Sequence, residues 1–201
     1  MLKQFALVNK KPLLLHTFDA FLQWGKPVRF ILVLAGSMVK QWAEICSDYH
    51  FTTKHLVVTG GQTRLQSVKN GLKHIPDNAM VAIHDGARPL VSSLLIEEGF
   101  SLAAKTGSAI PVVKISDSVR KTAGTNSRPV NRKNLLMVQT PQFFQSSLIK
   151  KAYDLIKKEN FTDDASLFET AGHKLSLYQG DRQNIKITFQ EDLNMMEALL
   201  K

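Results

Sequence analysis

A chain of 201 residues, 44% hydrophobic and 21% charged, carries enough apolar material to bury the core of about one α/β domain. The formal net charge of +9 calls for an anionic partner. The basic residues are spread along the chain without zinc-finger spacing, an RNA-binding aromatic motif or a recognition helix, so nucleic acid is not the expected one. No apolar run approaches the roughly 20 residues of a membrane span, and no basic amphipathic helix reads as a membrane anchor. A phosphorylated small molecule is the expected partner. The opening residues lack the apolar core of a secretory signal, and the single Cys46 cannot form an intramolecular disulfide; both point to the cytoplasm.

In chain order, residues 13–23 place Leu13, Leu14, Phe18, Phe21 and Leu22 at helical spacing behind a Lys-Pro start. Val28 to Leu34 reads as a strand and residues 38–47 as a helix. Leu56-Val57-Val58 is a short strand running into Thr59-Gly60-Gly61, followed by a helix from Arg64 to His74. A strand at 80–84, a helix at 93–104 and a strand at 108–113 continue an alternation that predicts a parallel sheet with helices on both faces. Residues 114–135 break the pattern. Short alternating stretches around Ala123-Gly124-Thr125-Asn126 predict a projecting β-hairpin, an arm suited to pairing two subunits. Helices follow at 146–157, from Thr162-Asp163 to Ala171 and at 190–200, with a strand at 174–178 between the last two.

The run Val81-Ala82-Ile83-His84-Asp85-Gly86-Ala87-Arg88-Pro89 ends an apolar strand in a charged, glycine-containing turn. Open α/β sheets bind ligands at such carboxyl ends. Asp85 offers a carboxylate to a metal ion or a sugar hydroxyl, Gly86 admits a close backbone approach, and Arg88 forks onto a phosphate or braces the loop.

Several further motifs accompany that run: Lys3-Gln4-Phe5, Gly60-Gly61 with Arg64, Ser67 and Gly71, Asn131-Arg132, Thr140-Pro141-Gln142-Phe143-Phe144, Thr162-Asp163 with Ala165-Ser166, and Asn184-Ile185-Lys186-Ile187-Thr188. Together, in this order, they resemble the 2-C-methyl-D-erythritol 4-phosphate cytidylyltransferases of the non-mevalonate isoprenoid pathway. The resemblance implies a Rossmann-like, mostly parallel sheet of the nucleotidyltransferase type, in a single domain spanning 1–201 whose arm at 114–135 builds a homodimer. It also implies the reaction. A phosphate of the polyol attacks the α-phosphorus of CTP, with Mg²⁺ present, and pyrophosphate leaves.

The resemblance further distributes roles. Gly60, Gly61 and Ser67, with Asp85, Gly86 and Ala87, would bind CTP, and Asp85 would meet the ribose or the metal-bearing phosphates. Lys3 and Lys186 would place compact positive charge on the reacting phosphates. Arg132, Thr140, Thr162 and Ser118 would grip the acceptor, with Arg132 reaching into the partner subunit's site. Arg64 and Arg88 would support the loops.

Family members begin with an apolar strand and a glycine-rich, arginine-containing loop, for which this sequence has no counterpart. The expectation is therefore a fragment of a longer polypeptide, with little activity in residues 1–201 alone. Other readings are a ribitol 5-phosphate cytidylyltransferase, a nucleotide-binding form without catalysis, and a basic nucleic-acid binder.

Overall fold

The computed structural model describes residues 3–156 and 161–200, with the side chain of Lys3 outside the described set. Lys3–Phe5 forms a 3₁₀ turn. Strands β1 (Leu7–Val8) and β2 (Lys11–Pro12) then form a small antiparallel pair leading into α1 (Leu13–Leu22). Seven of the ten α1 residues are buried, as its apolar spacing requires. Strand β3 (Phe30–Leu34), α2 (Val39–Asp48) and β4 (His55–Thr59) follow, and β3 and β4 pair in parallel.

Next come α3 (Arg64–Leu72), β5 (Met80–Ile83), α4 (Ser93–Thr106) and β6 (Ser108–Lys114). Gly107 ends α4 with φ of 93°, a left-handed cap that favours glycine. The expected hairpin is present as β7 (Val119–Ala123) and β8 (Asn126–Val130), paired in antiparallel fashion and exposed along nearly all their length. Strands β9 (Leu136–Val138) and β10 (Gln142–Gln145) lead into α5 (Ser146–Leu155). Helix α6 (Asp164–Thr170), β11 (Leu177–Gln179) and α7 (Gln190–Leu199) complete the chain.

The main sheet runs β11-β6-β10-β5, with β9 also paired to β6. Strand β10 is antiparallel to both its neighbours, which the reading by βα alternation does not anticipate. Its sequence explains its place at the centre. Phe143 and Phe144 point to opposite faces, as successive strand residues must. Phe143 packs among Ala103, Leu95 and Phe21, and Phe144 among Ile149, Phe168 and Val81. Both are fully buried, so helices cover the sheet on both sides.

Among the described residues, β3 pairs only with β4 and β5 only with β10. Both strands instead line a cavity of about 890 Å³, together with Leu14 and Phe18 of α1 and Val68 and Leu72 of α3. Phe30 to Val33 and Ala82 to Ile83 are only half-buried, although their residue types suit a sheet interior. No described helix is long and apolar enough to cross a membrane.

Candidate functional site

The cavity between β3 and β5 brings together Arg64, Ser67, Asp85, Gly86, Ala87 and Lys186. Asp85 stands two residues past the end of β5, at the carboxyl end of that strand. Lys186 comes from a segment about a hundred residues later. It is held there because the Ile187 N–H donates to the Ala87 carbonyl at 2.9 Å, while the Ile187 side chain is buried with Leu13, Leu193 and Met196. Lys186 Nζ thereby stands 2.9 Å from Asp85 Oδ2.

Burial pushes the Asp85 carboxyl up, but Lys186 outweighs this with help from Arg64 and Arg88, and the group sits below the usual carboxylate range. Arg88 Nε is 3.7 Å from Asp85 Oδ2, and Arg88 Nη1 donates to the Asn184 carbonyl at 2.7 Å. Burial draws the Arg88 guanidinium down and Asp85 opposes the change. One carboxylate thus lies among three cations, an arrangement ready to exchange protein contacts for phosphate oxygens.

The backbone of Asp85 is fixed from behind. Its N–H donates to Thr140 Oγ1 at 3.0 Å, and Thr140 Oγ1 also contacts His84 Nδ1 at 3.2 Å. His84 Nε2 lies 2.9 Å from the Arg88 carbonyl, so this nitrogen carries the proton and Nδ1 accepts from the threonine. Burial lowers the His84 pKa to about 4, only partly offset by the Arg88 carbonyl and the Asp85 charge. The ring is neutral near pH 7. Asn184, fully buried, donates from Nδ2 to the Thr140 carbonyl at 2.8 Å.

The loop before α3 is built as tightly. The Gly61 N–H donates to Ser67 Oγ at 3.1 Å, and that hydroxyl donates to the Thr63 carbonyl at 2.9 Å. A Cβ on Gly60 would meet Ser67 Oγ at 2.8 Å, and one on Gly61 would meet the Gln66 side chain at 2.4 Å. Glycine is needed here for close approach, not for an unusual φ. Thr63 caps α3 through its hydroxyl.

The remaining predicted residues fall around this centre. Thr140 is buried behind Asp85, while Thr162 and Ser118 are exposed. Arg132 is exposed in the turn after the arm, where its guanidinium donates to the Ser116 carbonyl. Lys3 falls outside the described side chains. Residues that sequence reasoning left without a role include His84, Gln142, Asn184, Tyr153 and Asp164. The first three stand inside the motifs quoted above, so the motif text was the available signal, but only the fold reveals what their polar groups hold.

Fold and site together define an α/β protein of the nucleotidyltransferase type, with its charged centre at the carboxyl end of a sheet strand. The sequence profile of the 2-C-methyl-D-erythritol 4-phosphate cytidylyltransferase family matches residues 1–201, and the chain belongs to that family. A relative from Azobacteroides pseudotrichonymphae, named 2-C-methyl-D-erythritol 4-phosphate cytidylyltransferase, is 41% identical over 98% of this chain and 90% of its own length. The enzyme of that name from Thermus thermophilus superposes with a TM-score of 0.82 at 28% identity, covering 98% of this chain and 93% of the other. The 4-diphosphocytidyl-2C-methyl-D-erythritol synthase from Anaerococcus prevotii gives 0.85 at 28% identity, covering 98% and 92%.

Proposed function

We propose that this protein transfers CMP from CTP to 2-C-methyl-D-erythritol 4-phosphate, releasing pyrophosphate and leaving 4-diphosphocytidyl-2-C-methylerythritol. The observation that carries the reading is the Asp85–Lys186 pair at the cavity. Displacement at phosphorus asks little covalent chemistry of the protein. It asks for in-line positioning and for positive charge fixed where negative charge develops.

Lys186 supplies that charge in this reading, and Lys3 adds to it, while Arg64 and Arg88 support the loops. Gly60, Gly61 and Ser67 hold the base, and Asp85, Gly86 and Ala87 the ribose and phosphates. Thr162, Ser118, Thr140 and Arg132 serve the acceptor. A hydroxyl and a guanidinium suit a polyol phosphate, since the first bonds either way and the second forks onto phosphate oxygens.

The donor set suits magnesium carried in on the triphosphate. No group of three or more His, Cys, Asp or Glu among the described residues could hold a metal ion, whereas Mg²⁺ commonly takes one or two carboxylates plus phosphate oxygens. Asp85 would hold it. Bound there, the ion would neutralise charge on the phosphates.

We also read residues 1–201 as one domain of a cytoplasmic homodimer paired through the β7–β8 arm. Support comes from that exposed hairpin and from Leu136, Met137 and Val138 at its base, which are 44%, 49% and 41% exposed. Sedimentation at micromolar concentration tests the dimer, and a monomer would exclude it.

The reaction is tested by measuring pyrophosphate release with CTP, Mg²⁺ and either methylerythritol phosphate or ribitol 5-phosphate. Release that requires methylerythritol phosphate is expected. Turnover with ribitol phosphate alone would overturn the acceptor assignment, and CTP binding without release from either acceptor would leave a nucleotide-binding protein.

A further inference from the structure

We propose that Asp164 is a positioning residue that locks the nucleotide-facing loop 60–67 and the acceptor-facing loop 162–166 into one unit; this rests on the reading of those loops just given. Asp164 is the first residue of α6 and is fully buried. Its carboxylate accepts Arg64 Nη1 on Oδ1 at 3.2 Å, Arg64 Nη2 on Oδ2 at 2.5 Å, and the Tyr153 hydroxyl on Oδ1. Arg64 is the first residue of α3, immediately after the capping Thr63. The two helix N-termini that carry the two ligand loops are therefore tied to each other by a forked ion pair.

A second strut runs from the same point to the strand beside β5. The N–H groups of Asp164 and Ala165 both donate to Gln142 Oε1, at 3.1 and 2.8 Å. Gln142 Nε2 donates to Asp163 Oδ2 at 3.1 Å, and Asp163 Oδ1 caps α6 by accepting the Ser166 N–H. Gln142 is fully buried on β10, in register with Ile83, two residues before Asp85. Every polar group named in this network has a partner, the condition under which a buried polar network rigidifies its surroundings.

The charge arithmetic gives Asp164 a further consequence for the site. Burial alone would lower the Arg64 pKa, but Asp164 outweighs it and raises the group above its ordinary value, with a smaller contribution from Asp85. Removing the Asp164 charge leaves Arg64 with Asp85 as the other carboxylate acting on it. Arg64 would then compete with Lys186 for Asp85. Since Asp164 is fully buried and does not line the cavity, its loss should weaken binding of CTP and of the acceptor together, with a smaller effect on kcat.

The test uses residues 1–201 with Asp164→Asn, which keeps the shape and removes the charge. Tyr153→Phe removes one donor and leaves the ion pair, and serves if the first variant does not fold. Amide hydrogen exchange on the ligand-free protein reads the coupling without catalysis. Gly61, whose N–H is held by Ser67, and Ala165, whose N–H is held by Gln142, should lose protection together, by roughly tenfold or more in Asp164→Asn. Tyr153→Phe should give a smaller, matched loss, with Ile110 on β6 unchanged in both. Loss at Ala165 with Gly61 unmoved, or equal loss at Ile110, overturns the proposal. CTP titration of the wild-type protein is run beside it. No CTP binding there would refute the proposed function while the exchange result still decides the coupling.

Discussion

Lys186 Nζ and Asp85 Oδ2 stand 2.9 Å apart although about a hundred residues of chain separate them, and the lysine side chain is about twice as exposed as the carboxylate, 46% against 22%. The buried partner sets the position and the exposed one delivers the charge. For an ion pair this exposed, the contribution to folding is small. In the function proposed above, it keeps the Lys186 ammonium at the cavity until a phosphate takes it over.

Lys186→Ala should therefore leave the fold intact and reduce turnover by about 10²–10³-fold, the cost typical of removing one preorganised charge stabiliser. Steady-state kinetics with circular dichroism as the folding control measures both. Wild-type turnover in the variant would remove Lys186 from the mechanism.

His84 makes a pH prediction with a definite sign. Its pKa falls from an ordinary 6.5 to about 4 in the fold, so between those values the unfolded chain binds a proton that the native state refuses. Stability is complete above pH 6.5 and is lost as pH falls toward about 4. At about 1.4 kcal/mol per pH unit, the full loss is on the order of 3 kcal/mol. Urea unfolding at about pH 7 and about pH 5 should show the wild-type protein losing more stability than His84→Asn. Equal losses would mean that the ring titrates normally.

The helices were legible in the sequence because their apolar periodicity is local. Residues 13–23 and 93–104 predict α1 and α4 within two residues of their observed ends. The arm was legible for the same reason, as alternation around a Gly-Thr-Asn tip. Strand β10 was not, because four residues with two adjacent phenylalanines carry no period, and only the two helical layers explain why both are buried. At the site, the motif text pointed to Asp85 and Lys186. It could not show that Thr140 spends its hydroxyl on the Asp85 N–H, or that Asp164 holds Arg64. Those contacts join segments 55 and 100 residues apart.

The cavity between β3 and β5 leaves one edge of each strand without a ladder. In a strand, successive N–H groups point to alternate edges, so about half the amides of β3 and β5 face the cavity. Exchange measured by NMR should show an alternating pattern over Phe30–Leu34 and Met80–Ile83, fast where the amide faces the cavity. Uniform slow exchange along both strands would mean that something fills the space and completes the sheet.

Gly99 tests how closely α4 lies on the sheet. Alanine in a helix interior ordinarily gains about 1 kcal/mol over glycine. Here a Cβ would meet the Phe143 ring at 2.2 to 2.6 Å. The ring has no free direction: it is fully buried, and Phe100 abuts it at 4.8 Å between centroids. Overpacking of this kind costs about 1–3 kcal/mol, and contacts this short belong at the upper end, so the clash should outweigh the propensity. Gly99→Ala is expected to destabilise the fold by about 1–2 kcal/mol in urea unfolding. Adding Phe143→Leu should recover part of that loss, because the two residues share one space and their effects cannot be additive. A stabilised Gly99→Ala protein would show that α4 can move away from β10, which the packing of Phe143 argues against.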